Sequence, residues 1–205
     1  MGVAQPEQLA SRLMAFLTGS LSLEEMAAVR RAVEIAFRAH EGQRRDDGTP
    51  YILHPLRAAN TLVAELGIRK PDMICSVLLH DAVEDDESLS FDDIERLFGP
   101  RVASAVRVLT KPAREGRTRS EVNQEYFARL RRADQSVRVA KLVDRLDNVR
   151  DLPNCSDPGK QRRIADETRT FYSSLIGTLE ERHLRGALED AFARALALQD
   201  SGRST

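Results

Sequence analysis

Apolar residues recur at three- and four-residue intervals along almost the whole chain, and no stretch sustains the two-residue alternation that strands require. The pattern predicts an all-α fold. A first helix covers about 9 to 17. Ser22 with Glu25 three residues on forms a capping box, opening a helix through Met26, Val29, Val33, Ala36 and Phe37 toward His40. Pro55 suits the first position of the next helix, which reaches about Leu66 and is closed by Gly67. Pro71 opens another, with Met73, Ile74, Cys75, Val77 and Leu78 on its buried side, running into an acidic stretch after Val83. Ser90 and Asp93 cap a short helix ending near Phe98 and Gly99, and an amphipathic stretch spans 102 to 109. KPAREGRTR, punctuated by proline and glycine, reads as a loop. Further helices are expected at about 120 to 133, 136 to 149, 160 to 176 and 179 to 198. The sum is about eight to ten helices in one domain over 1–205, with its core near 22–176.

Composition narrows the function. With 41% hydrophobic and 31% charged residues the 205-residue chain has apolar content enough for a buried core. A net charge of −1 provides no basic field to hold a nucleic-acid backbone, so a small ligand is the expected partner. No apolar run approaches the roughly 20 residues needed to span a bilayer. The start, MGVAQPEQLASRLMAF, lacks the basic-then-apolar order of a secretory signal, so a cytoplasmic setting is expected. Cys75 and Cys155 have no CxxC or CxxH neighbour and read as reduced structural thiols.

The segment LLHDAVEDD concentrates the chemistry. His80, Asp81, Glu84 and Asp85 fall at i, i+1, i+4 and i+5, so on a continuous helix His80 stacks on Glu84 and Asp81 on Asp85. Carboxylates in a last turn oppose the helix dipole and call for a cation. A divalent metal answers that need, and His with Asp suits Mn²⁺, Fe²⁺ or Zn²⁺. Two more donors present themselves: His54, just before Pro55, and Asp144 in VRVAKLVDRLDNVRDL, with Asn148 one turn on. Taken singly, His54 reads as readily as a helix cap, and Asp144 as an ion pair with Lys141, Arg145 or Arg150.

With HEGQRRDDGTPYILHP, LLHDAVED and KLVDRLDNVRDL in that order, the chain resembles the HD-domain hydrolases of the RelA/SpoT homologue group, specifically the hydrolase-only small alarmone hydrolases, over about 32–176. The resemblance implies one Mn²⁺ held by His54, His80, Asp81 and Asp144, with Glu84 and Asp85 as the catalytic pair. It implies a 3′-pyrophosphohydrolase acting on ppGpp and pppGpp, in which the pair orients a metal-activated water and accepts its proton. The products would be GDP or GTP and pyrophosphate. Arg44 and Arg45 match the basic pair at the guanine and nearby phosphate, Arg145 is a further cation for the substrate, and Asn148 matches a nucleotide-contacting position. His40 matches a structural position, and Tyr51 is expected to support the loop. Val143 and Asp147 depart from the family, standing where alanine and histidine are common, and Asp147 adds a negative charge beside Asp144. No counterpart of the synthetase or regulatory domains of the long members follows Ser201, so synthesis is not expected. The rival readings are an HD hydrolase of another nucleotide such as NADPH or a deoxynucleotide, an inactive alarmone-binding module, and a merely solvated acidic helix end at 84–87. Oligomeric state is left open.

Overall fold

The computed structural model describes residues 5–201; the outermost residues of the 1–205 expectation, and the first four read for a leader, lie outside the described residues. In chain order the helices are α1 (Pro6–Leu17), α2 (Leu23–Ala39), α3 (Leu53–Asn60), α4 (Pro71–Leu79), α5 (Ala82–Asp85), α6 (Phe91–Phe98) and α7 (Pro100–Leu109). They continue as α8 (Arg119–Arg132), α9 (Gln135–Arg150), α10 (Pro158–Glu167), α11 (Ser173–Gly177) and α12 (Arg182–Ser201). The all-α expectation holds: among the described residues there is no strand, only an isolated antiparallel bridge between Arg44 and Pro50. No helix among them is long and apolar enough to cross a membrane.

Local chemistry sets the boundaries. Ser22 Oγ accepts from the Glu25 amide while the Glu25 carboxylate accepts from the Ser22 amide, and the same reciprocal box closes at Ser90 with Asp93 and at Thr118 with Glu121. Each such cap is worth on the order of 1 kcal/mol. Pro71 occupies the first turn of α4 as expected.

Helix α4 is the axis of the fold. Met73 through Leu79 are all buried, because α2, α3, α7 and α9 pack around it. On α9, Leu142, Val143 and Leu146 reach 0% exposure, each such aliphatic side chain contributing roughly 1.5–3 kcal/mol through burial. Helix α1 packs on α3 through Leu13 and Leu17. Helix α12 covers α9 with Leu184, Leu188 and Phe192, leaving Leu198 exposed.

Three expected boundaries are corrected. Helix α3 opens at Leu53, not at Pro55, which sits third; the first four amides of a helix have no intrahelical acceptor, so the missing N–H is tolerated there. Its C-terminal turn widens into a π-turn at Thr61–Glu65 before Gly67. The acidic segment does not continue α4 as one helix. His80 Nδ1 takes the Val77 carbonyl at 2.7 Å, the acceptor a continued helix would offer to the Asp81 amide, and the chain restarts as the single turn α5. The expected helix at 160 to 176 is likewise divided, into α10, a π-turn at Thr168–Tyr172 and α11.

Candidate metal centre

Three places on the core converge: the first turn of α3, the junction between α4 and α5, and the middle of α9. His54 comes from the first, His80 and Asp81 from the second, Asp144 from the third. His54 and His80 are 1% and 2% exposed and Asp144 is 4% exposed, so these polar groups sit in the core and require partners. His54, His80 and Asp81 each offer a ligand atom, all within 4.8 Å of one another. Asp144 Oδ1 lies 3.1 Å from His54 Nε2 and 3.6 Å from His80 Nε2, while Asp81 Oδ2 lies 3.8 Å and 3.2 Å from the same two nitrogens.

The two shorter separations match adjacent ligands of one divalent ion, and the two longer ones, 3.6 and 3.8 Å, are a few tenths of an ångström wider. Donors about 2.1 Å from a common centre and adjacent on its coordination sphere stand roughly 3.0–3.4 Å apart. The ring tautomers fit as well. His80 Nδ1 donates to the Val77 carbonyl, and His54 Nδ1 is 2.7 Å from Asp147 Oδ2, so in each ring Nδ1 is engaged outside the cluster and Nε2 is the nitrogen that would ligate a metal. In the protein alone the cluster is held by electrostatics. Burial works against charge at His54 and at His80, but the surrounding carboxylates outweigh it and raise both, and burial of Asp81 and Asp144 is outweighed by their cationic neighbours, which hold both carboxyls down. A metal entering the site takes the place of those shared protons.

A ring of supporting groups surrounds the four donors. The Tyr51 hydroxyl donates to Asp81 Oδ2 at 2.8 Å, and Asn148 Nδ2 donates to Asp144 Oδ1 at 2.9 Å. Lys141 Nζ is 2.5 Å from Asp144 Oδ2, lying over the Tyr126 ring. The sequence alternative of an ion pair for Asp144 is therefore realised on one carboxylate oxygen, while the other faces the imidazoles. The Arg57 guanidinium forks onto both oxygens of Asp147 at 2.7 and 3.0 Å.

The catalytic candidates stand at the rim. Glu84 and Asp85 lie on α5, and Glu84 Oε1 accepts from the Lys111 amide at 2.9 Å, tying α5 to the start of the loop before α8. Partial desolvation raises both carboxyls, Asp81 adding to the rise and the Lys111 amide opposing it at Glu84. His40, expected as structural, is buried, and that burial lowers its pKa; its Nδ1 lies 3.0 Å from Gln43 Oε1 and 3.3 Å from Asp85 Oδ2.

The predicted substrate arginines separate. A turn at 45–49, with Gly48 at φ +80° and Asp47 accepting from the Thr49 amide, places Arg44 and Arg45 beside the cluster. Arg45 bonds Asn148 Oδ1 at 3.1 Å and Asp151 at 2.7 Å, while exposed Arg44 donates to the Gly48 carbonyl. Both line a cavity of about 170 Å³ with Tyr51, Asn148, Leu152 and Lys160. Arg145 is not brought to the cluster: buried, it bonds Thr168 Oγ1, the Ile164 carbonyl and Glu167, and lies 4.5 Å from the centroid of the Tyr172 ring.

Tyr51, Arg57 and Lys141 are the contributors that motif reading did not assign to the centre. Arg57 and Lys141 carried sequence signals, Arg57 as a cation one turn beyond His54 on the same helix and Lys141 as an ion-pair candidate for Asp144.

Comparison with known proteins follows this geometry. The family model of the HD domain matches residues 32–179. The bifunctional (p)ppGpp synthase/hydrolase SpoT of Escherichia coli is 36% identical over 177 residues, 84% of this chain and 25% of that protein. A protein of Aquifex aeolicus named guanosine-3′,5′-bis(diphosphate) 3′-pyrophosphohydrolase is 37% identical over 164 residues, 79% of this chain and 23% of its own. The chain thus spans about a quarter of the length of these curated relatives. Among solved structures, a metazoan SpoT ortholog described as hydrolysing ppGpp and acting in starvation responses matches with TM-score 0.68 and 28% identity, covering 82% of this chain and 95% of its own.

Proposed function

The chain belongs to the HD domain family, and on that premise we propose that it removes the 3′-pyrophosphate of ppGpp and pppGpp, giving GDP or GTP and pyrophosphate. The family implies a divalent metal, and we propose His54, His80, Asp81 and Asp144 as its ligands and Mn²⁺ as the ion. The observation that carries the reading is the convergence of these four donors from α3, the α4–α5 junction and α9, with Glu84 and Asp85 on the adjoining turn. The names of several relatives support the substrate: the Escherichia coli and Aquifex aeolicus proteins and the metazoan SpoT ortholog are named or described for (p)ppGpp or 3′-pyrophosphate hydrolysis, while a plant relative carries the name of a putative GTP diphosphokinase.

A divalent ion bound there supplies Lewis-acid polarisation and brings the ionisation of water toward neutral pH. The chain's own groups do the rest. Glu84 and Asp85 orient the water and accept its proton, and their raised pKa values bring them closer to the pH at which a carboxylate is an effective base. Arg44 and Arg45, at the mouth of the cavity beside the cluster, meet the phosphates and the base of the nucleotide, with Asn148 linking Arg45 to Asp144. The reading carries with it a single HD-type domain and a cytoplasmic setting, in keeping with the free thiols of Cys75 and Cys155.

The test is turnover of a nucleotide panel with Mn²⁺, together with metal content on the same preparation. Cleavage of ppGpp to GDP and pyrophosphate is expected, with Glu84→Gln losing roughly 10²–10⁴ in kcat while keeping its metal. Intact ppGpp alongside cleaved NADPH or deoxynucleotide overturns the substrate, and a Glu84→Gln enzyme at wild-type rate overturns the catalytic assignment.

A further inference from the structure

Asp147 lies three residues beyond Asp144 on α9 and is not one of the four donors. Its surroundings give it a purpose. Asp147 is 4% exposed, and a carboxylate so buried is tolerated only when its oxygens are fully engaged. Oδ2 lies 2.7 Å from His54 Nδ1 and 3.0 Å from an Arg57 terminal nitrogen, Oδ1 lies 2.7 Å from Arg57 Nε, and Arg45 comes within 3.9 Å. Arg57 in turn is three residues from His54 on α3, so one helix supplies both the imidazole and the cation that holds its acceptor.

We propose that Asp147 and Arg57 together are a positioning pair for His54. Asp147 accepts the Nδ1 proton, which fixes the tautomer with the Nε2 lone pair toward Asp81 and Asp144 and makes the imidazole a stronger donor. Arg57 holds Asp147 in place with its two-pronged hydrogen bond, and neutralises a charge that alone in the core would not be tolerated. The two imidazoles of the centre are thereby tuned differently, His80 by a neutral carbonyl of its own helix and His54 by a carboxylate from α9.

The inference rests on His54 being a metal ligand, as proposed above, and its test reads affinity rather than turnover. Mn²⁺ affinity of chelator-stripped protein is measured by calorimetry for wild type, Asp147→Asn, Asp147→Ala and Arg57→Gln, with Glu65→Gln as control. Glu65 pairs with Arg150 and so also ties α9 to the end of the α3 run, but touches no ligand. Losses of about tenfold for Asp147→Asn and 10- to 100-fold for Asp147→Ala are expected, with a smaller loss in the same direction for Arg57→Gln. In Zn²⁺-loaded protein, nitrogen-15 spectra of the histidine rings should show His54 protonated at Nδ1 in wild type and altered in Asp147→Ala. Asp147→Asn at wild-type affinity, or Glu65→Gln weakening the metal as much, reduces Asp147 to a structural role and overturns the inference. Wild-type protein that takes up no Mn²⁺ overturns the metal centre itself, a distinct outcome.

Discussion

The Tyr51 hydroxyl donates to Asp81 Oδ2, the carboxylate oxygen that also faces His80 Nε2 at 3.2 Å, so the loop after α2 is fastened to the candidate metal ligand. Burial raises the phenol and the neighbouring Asp81 raises it further, which keeps it protonated as a donor. Hydrogen bonds to charged acceptors are worth about 1.5–3 kcal/mol. Tyr51→Phe should therefore weaken Mn²⁺ several-fold while leaving the helical content intact. Unchanged affinity in calorimetry would mean that the bond serves the loop alone.

Metal removal should be visible as stability. A ligand that binds only the folded chain stabilises it by about 2.7 kcal/mol at a free concentration 100 times Kd. For a domain of this size that is roughly 5–10 °C in Tm. Wild-type protein should gain such a shift when Mn²⁺ replaces chelator, and His54→Ala and Asp144→Ala should gain little. A thermal melt in which either variant gains as much as wild type removes that residue from the ligand set.

The helices and the four donors were legible because both are local or strongly patterned. Periodicity marks the helices, the boxes at Ser22 and Ser90 announce their starts, and histidine beside aspartate in an apolar run is chemically conspicuous. What was not legible is long-range or competes with propensity. The break after Leu79 arises because the His80 ring takes a backbone carbonyl, and a pattern of apolar positions does not encode that competition. Because of it, the stacking of His80 on Glu84 in a single helix does not occur; the donors come together through packing of α4 on α3 and α9. Arg145 looked like a substrate cation because charge is visible in sequence, whereas its bonds to Thr168 and Glu167 depend on how α10 docks. Asp147 looked merely surplus in charge, because Arg57 lies 90 residues away in sequence.

Lys141 offers a test of how the centre is balanced. Its ammonium is tucked between Asp144 and the Tyr126 ring, and removing one member of a buried pair typically destabilises by 3–5 kcal/mol because the other charge is left uncompensated. Asp144, however, has a second source of compensation when a cation occupies the centre. Lys141→Met should lose roughly 3 kcal/mol in metal-free protein and clearly less with saturating Mn²⁺, as read from urea unfolding in each state. Equal losses with and without metal would show that Asp144 does not share its charge with the ion.

The buried thiol of Cys75 should leave a pH signature in stability. Cys75 is 2% exposed in the middle of α4, and burial, aided by nearby Asp72, pushes its thiol up to about 12 from an ordinary value of 9.0. Below pH 9 the thiol is protonated in both folded and unfolded chains, so it adds no pH dependence. Between about 9 and 12 the unfolded chain releases the proton while the folded one keeps it, so the unfolded state binds fewer protons and stability falls as pH rises. The slope from this one group is at most about 1.4 kcal/mol per pH unit. Replacing Cys75 with alanine should flatten the loss over that window relative to wild type, even if it lowers stability at pH 7 by leaving a small cavity. In a thiol assay at pH 8 the folded protein should expose one fast-reacting cysteine, the half-buried Cys155, and a second only on unfolding. Two fast thiols in the native state, or identical alkaline stability profiles for wild type and Cys75→Ala, would show that α4 is not sealed at its centre, and the packing that aligns His80 and Asp81 would have to be reconsidered.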